Sequence, residues 1–75
     1  MENEVINIMS NMHAIFETAT ADARKFAEGN NSAGTRVRKA MQDLKNLAQH
    51  VRVEVQDQKN GFMSVESIMK TNNPN

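Results

Sequence analysis

Arg38, Lys45, Arg52 and Lys59 stand seven residues apart in the stretch "RKAMQDLKNLAQHVRVEVQDQK", residues 38–59. On a helix rising about 1.5 Å per residue, neighbours in this row are about 10.5 Å apart, and the four span roughly 31 Å along one flank. Unpaired cations on a rigid rod are the minimum equipment for gripping a phosphate backbone or an acidic protein surface. Long Lys and Arg stems can equally shield the edge of an apolar seam with their heads in water. All three readings start from one question, which is whether the chain itself supplies the counter-charges. Within their own helix it does not: no Asp or Glu lies three or four residues from any of the four. Lys39 differs, having Asp43 at four residues, and a local pair is expected there. Base reading is not expected. The chain has no known DNA-reading motif, and no aromatics interleave with the row for stacking.

A row like this needs a long helix to carry it, and the apolar pattern predicts two. Val5, Met9, Met12, Phe16, Ala19, Ala23 and Phe26 alternate steps of four and three, with Ile8 and Ile15 widening the stripe. The same alternation runs through Val37, Met41, Leu44, Ala48, Val51 and Val55, with Ala40 and Leu47 alongside. Between them "GNNSAGT", residues 29–35, supplies Gly29 to end the first helix in a left-handed conformation. Asn30, Asn31 or Ser32 can cap the second. A connection this short makes the helices antiparallel. Gly34 then falls in the first turn of the second helix, where it either permits close approach or is simply tolerated at a helix end.

The expected architecture is therefore all-α: an antiparallel hairpin over residues 1–61, with a first helix at about 3–28, a loop at 29–35 and a second helix at about 33–60. After Asn60–Gly61, residues 62–75 are expected to form a short helix capped by Ser64 and a polar tail. Phe62, Met63, Val65, Ile68 and Met69 are the candidate contacts to an oligomer or partner.

Length and composition bound the rest. Seventy-five residues make one small domain, near the lower limit for a self-sufficient core. With no Cys, and His13 and His50 as the only histidines, neither a disulfide nor a structural metal is expected as a staple. Self-association into a homo-oligomer is the expected alternative. The acidic start "MENEVINIMSNMH" does not read as a secretory signal, and no run approaches the length of a membrane span. Surface membrane binding is not expected from an acidic first helix lacking Trp. No nucleophile, base and orienting acid are grouped, and "GNN" is not a phosphate-cradling loop. Neither an enzyme, a cofactor nor a small-molecule substrate is expected.

The zero net charge conceals an asymmetry. Residues 1–28 hold five acids against two cations, a net of −3, while residues 36–59 hold six cations against three acids, a net of +3. Such division suits self-complementary packing or an anionic partner for the second half.

The stretch "KFAEGNNSAGTRVRKAMQDLKNLAQHVRVEVQDQKN", residues 25–60, resembles the core of the bacterial linker-histone-like family of small nucleoid-associated proteins. The likeness is densest over "GNNSAGTRVRKAMQDLKNLAQ" and includes the loop, Gly34, Arg36, Arg38, Lys39 and Lys45. It implies a helical hairpin that binds and compacts DNA through basic residues in the cytoplasmic nucleoid. DNA contact is carried over to Arg36, Arg38, Lys39, Lys45 and Arg52. Where the family typically adds a Lys-rich tail or a basic excess, this chain has "SVESIMKTNNPN" and is neutral. The alternative is therefore a packing module in a larger assembly, such as an auxiliary phage capsid protein of the virion. There Arg36, Arg38, Lys39, Lys45, Arg52 and Lys59 would face acidic residues of neighbouring subunits.

Overall fold

Asn3 opens the first helix. Its side-chain Oδ1 accepts the Val5 N–H at 2.8 Å, satisfying one of the free donors of the first turn. In the computed structural model, which describes residues 3–61, α1 then runs Glu4–Ala27 and α2 runs Asn31–Gly61. The two pack antiparallel as an all-α helical hairpin. The expected helix at residues 62–75, with Phe62, Met63, Val65, Ile68 and Met69, lies outside the described residues.

The turn is built by three residues with distinct tasks. Gly29 has φ +107°, a conformation that side chains with a Cβ rarely adopt. Its N–H donates to the Phe26 carbonyl and the Asn30 N–H to the Lys25 carbonyl, both at 3.0 Å, which closes the end of α1 as a Schellman motif. Asn30 is the cap of α2: its Oδ1 accepts the Ala33 N–H at 3.0 Å. The second helix consequently begins at Asn31, earlier than the expected start near 33, and Gly34 lies inside its first turn. A Cβ on Gly34 would sit 2.6 Å from Cδ1 of Phe26, so the missing side chain is what lets that half-exposed ring lie against the start of α2.

The seam between the helices differs from the expected one by a rotation. In α1 the residues turned inward are Val5, Ile8, Met12, Ile15, Ala19 and Asp22. In α2 they are Ala33, Val37, Ala40, Leu44, Leu47, Val51, Glu54 and Gln58. Met9, Phe16, Ala23 and Phe26, expected in the seam of α1, are exposed, and so are Met41, Ala48 and Val55 in α2. Ile8, Ile15, Ala40 and Leu47, expected beside the seam, form it. The physical reason is that each helix carries an apolar stripe wider than one neighbour can cover, and the polar contacts choose which edge faces inward. Asn3 and Gln58 exchange side-chain hydrogen bonds at 3.0 and 3.2 Å across the open end. Asp22, almost wholly buried, meets Arg36 near the turn.

Because no atom lies within 4 Å of a Cβ built at Gly29, replacing this residue tests backbone strain alone. Gly29→Val should lower the urea-unfolding free energy by about 1–2 kcal/mol, with Gly29→Asn costing less.

Candidate nucleic-acid interface

Each cation of the row follows a seam residue directly: Arg38 after Val37, Lys45 after Leu44, Arg52 after Val51, Lys59 after Gln58. One residue turns a helix by about 100°, so all four project from the same broad face of the hairpin rather than into the seam. All four are exposed. Among the described residues the ion pairs are Arg36–Asp22 and Lys39–Asp43, with His13 hydrogen-bonded to Glu17, and none of these contacts involves a member of the row. The hairpin therefore leaves four positive heads in line without protein counter-charges from its described part.

The remaining candidate contacts behave differently. Arg36 Nε donates to Asp22 Oδ1 at 3.0 Å, and the carboxylate side chain is only 12% exposed. Removing Arg36 from this contact would strand a mostly buried charge, which makes the pair a fastener of the turn end. Lys39 donates to both carboxylate oxygens of Asp43, at 3.1 and 3.2 Å, in the local pair its spacing predicts. That pair is largely exposed, the kind worth about 0–1 kcal/mol, so Lys39 could exchange Asp43 for a phosphate at little cost. Arg36 and Lys39 flank an open groove of about 630 Å³ that both helices line on the other face, floored by Ile15, Ala19 and Ala40. The six sequence candidates thus divide by face: Arg38, Lys45, Arg52 and Lys59 on one, Arg36 and Lys39 on the other.

The Arg36–Asp22 pair escaped a local charge scan because its partners are fourteen residues apart and meet only across the turn. Asp22 was visible as the one acid beside the first apolar stripe, but nothing local named its partner. Among the described residues no group of three His, Cys, Asp or Glu is placed to hold a metal ion, and no helix is long and apolar enough to cross a membrane.

The described residues form an all-α hairpin of two long helices, with four exposed cations on one face that make no ion pair among those residues. A family model described as "Histone H1-like protein Hc1" matches residues 7–61, through both helices and the turn. The chain belongs to this histone H1-like family, and a histone-like, DNA-binding role in general follows from that membership. The family is one of DNA-binding structural proteins. No curated protein and no solved structure matches the chain.

Two substitutions separate fastener from ladder. Arg36→Ala, which leaves the Asp22 carboxylate without its partner, should lower unfolding free energy by about 1–3 kcal/mol, and Asp22→Leu in the same background should recover most of it. Arg38→Gln should change stability by no more than about 0.5 kcal/mol, all three measured by urea denaturation followed by helix ellipticity.

Proposed function

We propose that this protein binds duplex DNA without sequence preference, laying the face that carries Arg38, Lys45, Arg52 and Lys59 along the phosphate backbone. The observation that carries this reading is the row itself: four exposed cations on one rod with no ion-pair partner among the described residues. Its length of roughly 31 Å is close to the 34–36 Å of one duplex turn, so a straight helix can meet phosphates along its whole length. Backbone contacts carry no sequence information, and no aromatic interleaves with the row to stack on bases. Lys39 is a secondary contact, free to turn from Asp43 toward a phosphate. Arg36 acts chiefly through Asp22, by holding the helices in register. Such a role places the protein with the nucleoid.

A second reading keeps the row and changes the anion. Zero net charge and the large apolar side chains beside the cations favour an assembly component, such as an auxiliary phage capsid protein, whose row meets acidic residues of a neighbouring subunit. The two readings part on one set of variants. With Arg38, Lys45, Arg52 and Lys59 all changed to Gln, the DNA reading expects retained helices and lost DNA binding. The assembly reading expects the complex with the neighbouring subunit to come apart.

In a mobility-shift titration of wild-type protein at low salt, binding to duplex DNA should appear by tens of micromolar, within the range usual for non-specific contacts. If four phosphates are engaged, log affinity should fall against log salt with a slope near −3.6, about −0.9 per contact. Arg36→Gln should leave the slope nearly unchanged, whereas Lys45→Gln should reduce it by about one contact. Absence of any shift in that range would refute the proposal.

A further inference from the structure

We infer that residues 62–70, which lie outside the described residues, fold back on their own hairpin as a short helix seated over Ile6, Met9 and Val55. The inference stands on packing and chain reach and does not depend on DNA binding.

The seat follows from the register of the open end. Asn3 exchanges hydrogen bonds with Gln58, so three residues further into each helix Ile6 stands level with Val55. Met9 comes one turn later on α1, beside Ile6 at i,i+3. Ile6 is 62% exposed, Met9 56% and Val55 37%. Beneath them the α2 side of the seam is polar, with Glu54 and Gln58 turned inward. The open end is therefore where the two helices cover each other least and leave apolar side chains outside.

What α2 delivers to this place is itself apolar. The helix ends at Gly61, six residues past Val55, a rise of about 9 Å. Asn60–Gly61 is a helix-ending pair, and "FMSVESIMK", residues 62–70, follows it with Phe62, Met63, Val65, Ile68 and Met69. Ser64 suits an N-cap, and Val65, Ile68 and Met69, three and four residues apart, share one side of the helix it would start. So short a helix does not hold in water alone, where about 12–15 residues are needed. It requires a surface.

Reach selects the surface. Residues 65–70 as helix extend about 9 Å, which matches the patch of Ile6, Met9 and Val55. The groove floored by Ile15, Ala19 and Ala40 begins at Asp43, eighteen residues or about 27 Å back along α2 from Gly61. Phe16 and Met41 are as distant. Joined directly to α2, the segment meets the near patch at an effective concentration on the order of millimolar, with no second chain required. Charge agrees. Arg52 and Lys59 bracket Val55 without an ion pair among the described residues, and Glu66 is the one acid of the segment.

In the full chain, nuclear Overhauser contacts should join methyl groups of Val65, Ile68 or Met69 to those of Ile6, Met9 or Val55. Mixing labelled with unlabelled protein should show that they arise within one chain. Because the chain has no Cys, an introduced thiol can report on the seat. Met9→Cys should react with a maleimide at least tenfold faster once Val65→Ser and Ile68→Ser are added, while Phe16→Cys should react at one rate in both backgrounds. Should Met9→Cys disturb the hairpin, Ile6→Cys carries the same expectation. Absence of the methyl contacts, contacts arising only between chains, or a rate at position 9 or 6 that ignores the Ser substitutions would each overturn the proposal. So would equal acceleration at position 16, or methyl contacts directed to Ile15 and Ala40 instead of the open end.

Discussion

Two helices share only one seam, and this constraint governs the molecule. Each helix brings an apolar stripe about three positions wide in every seven, and a single neighbour covers about two of them. Ile8, Met12, Ile15 and Ala19 go inward against Val37, Ala40, Leu44 and Leu47. Ile6, Met9, Phe16, Phe26, Met41, Val53 and Val55 are the large apolar side chains left exposed among the described residues. The excess is thus a direct result of putting bundle-grade helices into a hairpin. Both the cation ladder and the apolar face take their positions from that choice of seam.

Polar side chains fix the choice. Apolar area alone would accept either edge of each stripe, since burying Met9 and Phe16 is worth as much as burying Ile8 and Ile15. Asp22 with Arg36 at one end and Asn3 with Gln58 at the other are directional contacts that exist in one rotation only. Gly29 and Asn30 bring the helices together at the turn, and Gly34 allows Phe26 to lie against the start of α2. Directional bonds at the ends therefore set the sidedness that the non-directional middle leaves open.

Much of this was legible in the residue order. Four-three alternation gave both helices, Gly29 gave the end of the first, and the spacing of Lys39 and Asp43 gave their pair. The lack of any acid three or four residues from Arg38, Lys45, Arg52 and Lys59 anticipated their freedom from ion pairs within the described hairpin. The rotation of the seam was not legible. Val5–Met9–Met12–Phe16 and Val5–Ile8–Met12–Ile15 have the same periodicity, and the true seam of α2 contains Glu54 and Gln58, which a search for apolar residues passes over. Arg36 entered the DNA contacts through the family resemblance, and its contact with Asp22 was not legible because the partners are distant in sequence and near only after folding.

Histone-like DNA binding by a chain with no net charge becomes intelligible once charge is viewed by face. Of the three acids of α2, Asp43 holds Lys39, Glu54 lies in the seam beside Gln58, and Asp57 makes no ion pair with the row among the described residues. The most direct measurement is a titration of ¹⁵N-labelled protein with a short duplex, following backbone amide shifts. Changes that concentrate at Arg38, Lys45, Arg52 and Lys59, and fade together as salt is raised, are the expected result. Changes confined to the Arg36–Lys39 groove face, or none along the row at saturating DNA, would contradict the account.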